Sequence, residues 1–538
     1  MIKEHEKKFL EFLSLKSSYD YDPEFVEIVQ THISIVAIAP PYVYKIKKNI
    51  KLDFLDYSSV EKRKLFLERE IQLNRRLCEN IYLELVPIYE FEGLLSFEKF
   101  YHSSVRIYDN ALKMNYLKPE FCLTNILKNA LFLDDKMDAL IEKLGKFYFT
   151  AEQDKVSTEI SNHGKPAAVR AMFQNNLLEL EKIVSGKYTA VILDALSKFE
   201  STYFSRNKRI FEERCESGFI KDGHGDLRLE HIYIQDNNIS IYDCIEFNDS
   251  FRYIDILNDL AFLMMELDFG GYEEISLRFQ TRLFNYFLSH YQTSGGEPVL
   301  VYYKIYRALV RAKVNAIVCR ESEIPPEKKS LAEKNISDFV HLAFKYALTQ
   351  DHPAVFVIMG KTASGKSTLA KRIARDSGAT ALSTDVLRKQ LAGVDLYKET
   401  PREIKPRVYS PDFSEKVYSE LLLQAEKILS EKNFVILDGT FGKKIYRQWV
   451  LEKFSKARLL FIEVNSGNPE KKERLEKREL SKSISDARIS DKEKIDALYE
   501  SPGEIDDKMK LILGNSGDME KVVKTLYEKI MQHSFKKI

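Results

Sequence analysis

The stretch that most limits what this chain can fold into is Gly360-Lys361-Thr362-Ala363-Ser364-Gly365-Lys366-Ser367. It fits G-x-x-x-x-G-K-[ST], follows the continuous apolar run Ala354 to Met359, and leads into a helical pattern, Leu369 to Ala374. Glycines at the fixed positions let backbone N–H groups wrap a β-phosphate. Lys366 adds positive charge at the β/γ oxygens, and the Ser367 hydroxyl suits Mg²⁺. Glycine is scarce, 21 residues of 538, so a chance match is on the order of one in a hundred. Gly360, Ser364, Gly365, Lys366, Ser367 and Thr368 are therefore candidate ATP-binding residues.

Further strand-length apolar runs, Thr380 to Ser383, Phe434 to Leu437 and Leu459 to Val464, alternate with helical segments. That alternation predicts a parallel α/β sheet. Ligands of such sheets sit at the carboxyl ends of the strands, which places Asp385 and Asp438 beside the phosphate loop. Asp385 there can accept a proton from an attacking hydroxyl; its plain structural use is as a helix N-cap. Asp438 suits a Mg²⁺–water ligand, with a turn before Gly439 as the alternative. Arg474 and Arg478 lie i, i+4 in ERLEKRE. Surface charge pairing is the ordinary reading; neutralising a transferring phosphate is the functional one. Pro401 to Pro411, with three prolines, reads as a loop. From Ala354 to Ala487 the chain resembles the P-loop small-molecule and polynucleotide kinases: the gluconate-kinase, polynucleotide-5′-kinase and zeta-toxin-like group. The resemblance is carried by the phosphate loop, Ser383-x-Asp385-x-x-Arg388 and Arg474-Leu-x-x-Arg478. It implies that Asp385 and Arg388 engage the acceptor.

A second constellation lies upstream. Gly223-His224-Gly225-Asp226-Leu227 precedes Ile232-Tyr233-Ile234, a turn at Gln235 to Asn238, and Ile239-Ser240-Ile241-Tyr242-Asp243. This predicts a β-hairpin with Asp226 and Asp243 at the same end. Two carboxylates so placed suit a base for an acceptor hydroxyl and a Mg²⁺ ligand; a loop using Asp as a turn former is the plainer reading. The stretch resembles the aminoglycoside-phosphotransferase-like kinases, distant relatives of protein kinases, in His224-Gly225-Asp226, Asp243 and Asp259-Leu260-Ala261. The resemblance implies that Lys45, in Val43-Tyr44-Lys45, holds the α/β phosphates and that Glu70 pairs with it. Lys47, on the same strand face, and Glu68 are the competing choices. The chain departs from the pattern in two ways. No G-x-G-x-x-G loop precedes Lys45, and His231 stands where the second Mg²⁺ ligand is usually Asn. Glu246 is an oxygen-bearing substitute for that ligand. As a whole, the chain resembles the two-module family joining an aminoglycoside-phosphotransferase-like domain to an ATP-binding P-loop domain.

The expected architecture is therefore two-domain. An α+β bilobal kinase-like domain spans 1–350, its N-lobe about 1–118, and an α/β P-loop NTPase domain with a parallel sheet spans 351–538. Lys and Arg total 82 against 81 for Asp and Glu, which argues against a chain dominated by nucleic-acid or membrane electrostatics. Five scattered cysteines without a CxxC speak against a disulfide framework or zinc site. With a charged N-terminus lacking a signal-peptide core, they fit a cytoplasmic protein. The expected activity is ATP- and Mg²⁺-dependent phosphate transfer at two separate sites, to a small molecule carrying a hydroxyl. The alternatives are a first module that is a pseudokinase or regulator beside a single active P-loop kinase, and a polynucleotide 5′-kinase acting on a nucleic-acid terminus. Asp255, Asp259, Glu266 and Asp268 are candidates for a cationic acceptor pocket, with Asp255 and Asp259 also placed to brace the hairpin.

Overall fold

In the computed structural model the described residues are 4–52, 55–129, 134–150, 158–184, 187–236, 238–291, 296–320, 324–479, 484–486, 488 and 496–533. The chain divides into two compact units, Met1–Val169 with Ile210–Gly296, and Arg170–Arg209 with Glu297–Ile538.

The first unit begins with α1 (Glu4–Leu13) and an antiparallel sheet of β1 (Glu27–Gln30), β2 (Ser34–Ala39), β3 (Tyr42–Lys47), β4 (Tyr82–Phe91), β5 (Leu94–Ser96) and β6 (Arg106–Asn115). The strand order is β1-β2-β3-β6-β4-β5. Side chains alternate along β3. Tyr44 and Ile46 join Phe9, Ile35, Ala37 and Ile88 in an apolar cluster, which leaves Lys45 and Lys47 on the opposite face. Helix α2 (Val60–Asn74) crosses that face, its first turn capped by the Ser59 hydroxyl, which accepts from Lys62 N. Near its start Arg63 donates through Nε to Asp109 Oδ2 of β6 at 2.8 Å, and through Nη1 to Tyr57 O at 2.8 Å. Two turns later α2 presents Glu70 to the lysines.

Beyond this lobe, β7 (Ile220–Asp222) pairs antiparallel with β10 (Tyr253–Asp255), and between them β8 (Ile232–Gln235) and β9 (Asn238–Ile241) form the expected hairpin. The register Ile232↔Ile241 to Gln235↔Asn238 returns the chain toward Asp226. Helix α3 (Ile256–Phe269) follows β10 and is buried along most of its length.

The second unit contains α4 (Glu297–Arg320), α5 (Pro326–Thr349) and the phosphate-loop strand β11 (Ala354–Met359), then α6 (Lys366–Ser377), β12 (Thr380–Ser383), α7 (Thr384–Ala392), α8 (Pro411–Lys432), β13 (Phe434–Asp438), β14 (Arg458–Asn465), α9 (Asn468–Glu479), β15 (Lys510–Gly514) and α10 (Met519–Gln532). Its strands are all parallel, in the order β12-β13-β11-β14-β15. The central strand β11 is buried at every residue, as expected of a strand covered on both faces. The edge strand β15 was not anticipated.

The compact units do not coincide with a division at 350/351. Helix α5 packs in the second unit, with Phe344 against Tyr527 of α10 at 4.7 Å. It ends on Gln350 in the left-handed region, so the punctuation at 350–353 is a helix-to-strand turn inside one unit. The segment Pro401 to Pro411 carries a short helix, Lys405–Val408, and is tied down by the Tyr409 hydroxyl on Asp486 at 2.9 Å.

Breaking a buried charge pair from one side costs about 3–5 kcal/mol, whereas replacing both members with apolar residues is often close to neutral. Arg63→Met is therefore expected to loosen α2 and β6 strongly, and Arg63→Met with Asp109→Leu to recover most of the loss. Hydrogen exchange across these two elements measures it; equal loosening in both variants would show that the pair acts through packing rather than charge.

Candidate functional sites

The first site is assembled from three non-adjacent elements. Lys45 Nζ on β3 donates to Glu70 Oε1 of α2 at 2.7 Å and to Asp243 Oδ1, just past β9, at 2.8 Å. Lys47 Nζ donates to the other oxygen of the same carboxylate, Glu70 Oε2, at 2.6 Å, and also to Glu246. The Tyr57 hydroxyl donates to Glu246 at 2.7 Å. Burial alone would push both lysines down; Asp243 and Glu70 around Lys45, and Glu246 and Glu70 around Lys47, overcome it and hold both ammonium groups above their ordinary range. Desolvation would raise Asp243, but Lys45, bonded to it, keeps its carboxyl well below the usual carboxylate range. Glu68, the competitor for Glu70, is exposed and faces Lys64. Lys47 has no exposed side-chain surface, while Lys45 is 14% exposed beside Asp243, so Lys45 is the lysine that borders the site.

Asp243 sits in the left-handed region, φ 61°, which Asp tolerates better than most residues. Its N–H donates to the Tyr82 hydroxyl at 3.0 Å, and the next N–H, of Cys244, donates to Asn74 Oδ1 at 2.9 Å. The hairpin brings Asp226 and Asp243 to opposite sides of the His231 ring, with Nδ1 at 3.6 Å from Asp226 Oδ2 and Nε2 at 3.6 Å from Asp243 Oδ2. Asp259 accepts from the N–H groups of His224, at 2.6 Å, and Gly225, at 2.9 Å. Asp255 holds Arg214 through both oxygens at 2.7 Å, and Glu266 holds Arg228 and Leu229 N. Asp259 and Glu266 brace the loop around Asp226, Asp255 caps α3 through Leu257 N and holds Arg214, and none of the three presents the unengaged carboxylate that a cationic acceptor pocket requires. Glu246 likewise is taken up by Lys47 and Tyr57 rather than left for a metal.

The second site is built chiefly from backbone. Gly360, at φ 139°, and Gly365, at φ 94°, adopt conformations that L side chains avoid. A Cβ at Gly360 would lie 2.5 Å from Val464 O, and one at Gly365 would lie 2.1 Å from Asn515 Nδ2. Lys366 Nζ donates to Lys361 O at 2.8 Å, folding back over the loop. Ser367 and Thr368 are exposed on the first turn of α6. Asp438 is buried at the end of β13; burial pushes its carboxyl up, opposed by a hydrogen bond from Ser367 and by Lys366, while nearby Asp385 adds to the rise. Lys366, Ser367, Asp385 and Asp438 therefore share one neighbourhood.

Arg474 reaches the phosphate loop but braces it, donating to Ala363 O at 3.2 Å, Ser466 Oγ at 2.9 Å and Asn515 O at 3.0 Å. Arg388 is buried, donates to Val408 O at 2.6 Å and Ser414 Oγ at 3.2 Å, and lies over the Tyr409 ring. The Arg478 side chain lies outside the described residues. Asn515 was not foreseen: its amide donates to Ser364 O at 2.7 Å. The Ser364 hydroxyl is buried without a hydrogen-bond partner. Asp496, accepting from Thr362 N at 3.2 Å, also escaped the sequence reading, because neither it nor Asn515 stands near a motif.

Fold and geometry thus define an α+β unit, whose antiparallel sheet, helix α2 and hairpin bring Lys45, Glu70 and Asp243 together, and a P-loop unit with a parallel sheet. A family model described as an AAA domain matches residues 355–502. An uncharacterized protein of Mycobacterium tuberculosis and one of Mycobacterium bovis are each 29% identical over 433 residues, covering 78% of this chain and 79% of the relative. Among solved structures, the amicoumacin kinase hAmiN in complex with AMP-PNP, Ca²⁺ and Ami is 11% identical, covering 63% of this chain and 96% of that one, TM-score 0.36. A gluconokinase from Sinorhizobium meliloti is 19% identical, covering 33% and 91%, TM-score 0.25. No described helix is long and apolar enough to cross a membrane.

Gly365→Ala should distort the phosphate loop, since backbone strain of this kind costs roughly 1–3 kcal/mol before any clash is counted. Nucleotide affinity at the second site is expected to fall at least about tenfold. Gly393→Ala, also at positive φ but with open space around the new Cβ, is the control, and fluorescent-nucleotide titration compares them.

Proposed function

We propose that the chain is an ATP-dependent phosphotransferase with two separate nucleotide sites, each passing the γ-phosphoryl group to a hydroxyl acceptor. The observation that carries this reading is Lys45 bonded to both Glu70 and Asp243, with the Asp226 carboxylate on the other side of the His231 ring. A lysine so held presents a fixed charge to the nucleotide α/β phosphates. Asp226 takes the proton of the attacking hydroxyl as its oxygen bonds to the γ-phosphorus; the bond to the β-phosphate oxygen breaks and ADP leaves.

In the second unit the backbone N–H groups from Gly360 to Thr368 and the Lys366 ammonium cradle the phosphates. Asp385 is the proposed base. Arg474, through the loop it braces, and Arg388, through the 408–414 segment, orient nucleotide and acceptor; Arg478, one helical turn after Arg474, is the proposed lid cation. Oxygen donors suit Mg²⁺, and the donors here fit. Ser367 and Asp438 would hold Mg²⁺ in the second unit, and Asp243 would hold a divalent ion in the first, where it would neutralise phosphate charge. A small hydroxyl compound is the acceptor this reading favours, in a cytoplasmic setting.

Calorimetry on the full chain with a non-hydrolysable ATP analogue should give two nucleotides per chain. Lys366→Ala is expected to lower transfer by the second unit by roughly 10³-fold while sparing the first. Asp226→Asn should abolish transfer by the first unit and leave both nucleotides bound, because it removes a base rather than a phosphate contact. A single nucleotide per wild-type chain would make the first unit a regulatory module, and loss of both activities from either substitution would mean one shared centre. Competition by oligonucleotide 5′ ends would move the acceptor to nucleic acid.

A further inference from the structure

We propose that the metal position of the first unit is a mixed nitrogen–oxygen site, formed by His231 Nε2 and Asp243 Oδ2, that selects a first-row divalent transition ion such as Mn²⁺ over Mg²⁺. The inference rests on the nucleotide reading of that unit and goes beyond it in naming the ion.

The argument starts from the ring. His231 Nδ1 lies 2.9 Å from the Asp226 carbonyl oxygen. A carbonyl only accepts, so Nδ1 carries the hydrogen, and in the neutral ring Nε2 keeps its lone pair. That nitrogen faces Asp243 Oδ2 at 3.6 Å and Glu230 Oε1 at 3.7 Å. Both distances exceed hydrogen-bond reach and are far longer than the ~2.7–2.9 Å of a charge-assisted bond from an imidazolium.

The two carboxylates are not equivalent. Glu230 is already paired with Arg228. Asp243 gives Oδ1 to Lys45 and leaves Oδ2 toward the ring, with 42% of its side chain exposed. Two donors 3.6 Å apart can share one ion at ~2.1 Å from each, subtending roughly 120°. The ring is held for this task. It is buried, anchored through Nδ1 at its back, with the Tyr242 ring at 5.9 Å and the His231 carbonyl accepting from Tyr242 N at 3.0 Å.

Among the described residues no cluster of three or more His, Cys, Asp and Glu side chains forms a protein-only metal cage. The remaining donors are therefore phosphate oxygens and water, as is usual for nucleotide-borne ions. Mg²⁺ accepts oxygen and demands near-ideal octahedral geometry. Imidazole favours transition ions, and Mn²⁺ is the one that shares the Mg²⁺ preference for carboxylate oxygen.

The test uses the full chain carrying Lys366→Ala, which weakens loading of the second site, with Mn²⁺ and a non-hydrolysable ATP analogue. The electron spin-echo envelope of the bound Mn²⁺ should show imidazole-nitrogen modulation. His231→Asn should remove the modulation, and the preference for Mn²⁺ over Mg²⁺ in nucleotide-dependent binding should fall by roughly tenfold or more. Bound Mn²⁺ with no nitrogen modulation in the parent overturns the proposal while leaving nucleotide binding intact, as does an unchanged preference in a folded His231→Asn chain. Absence of any nucleotide-dependent Mn²⁺ at the first site overturns the nucleotide reading and this proposal together. Should His231→Asn fail to fold, the parent spectrum alone decides.

Discussion

The first unit turns on one carboxylate. Glu70 has no exposed side-chain surface and gives one oxygen to Lys45 and the other to Lys47. Buried charges are tolerable only when paired and hydrogen-bonded, so this single group obliges β3, α2 and the loop after β9 to close on one another. Lys47, Glu246 and Tyr57 form the dry end of the network, and Lys45 and Asp243 the end that solvent reaches. The two lysines face three acids, Glu70, Asp243 and Glu246, which leaves one negative charge in surplus. The most exposed member is Asp243, where, on the proposed function, a cation arriving with nucleotide phosphates would offset that surplus. His231 stands on that open side.

The second unit solves the same electrostatic problem by other means. Its proposed phosphate site is the loop of backbone N–H groups after β11, where Gly360 and Gly365 take positive φ freely and Ala363, also at positive φ, is the strained residue. Strain of this kind persists only where the surroundings over-determine it. Asn515 and Ser466 both hold the Ser364 carbonyl, and Arg474 holds the next one back along the loop. A side chain that would read as a lid cation in sequence is thus partly a clamp. Lys366 rests on a carbonyl of its own loop, a contact that a phosphate oxygen of full negative charge would outbid if nucleotide binds as proposed.

What was legible in the sequence was whatever chemistry is written in short, contiguous spacing. The phosphate loop, the hairpin with its two acids, the apolar strands β11 to β14 and the capped helix bearing Glu70 all follow from patterns within about twenty residues. The edge strand β15 was missed because its apolar run, Leu511-Ile512-Leu513, is only three residues long and is closed by Lys510 and Gly514. The engagement of Glu246, Glu266 and Arg388 was not legible either. Each is decided by a partner from another element, and no local pattern says whether a buried acid faces a lysine or a ligand. The choice between Lys45 and Lys47 had the same character: both lie on one strand face, and only side-chain exposure, 14% against none, separates them.

The boundary between units shows the limit of sequence punctuation. Gln350 to Pro353 stops a helix and starts a strand, and the matched AAA-domain region begins at 355, so motif and punctuation agree on a module. The folded unit is larger. Arg206 donates to the carbonyls of Gln532 and His533, Lys304 pairs with Asp351, and α5 lies against α10. All of these residues belong to the second unit. A chain beginning at 351 would keep every phosphate-loop residue yet lose the helical cover of α6 and α10, exposing Tyr527 and Phe344-facing surface that is buried in the intact protein. The nucleotide motif and the cooperative core that supports it are therefore different objects here: the first is fixed by spacing, the second by which helices bury the sheet.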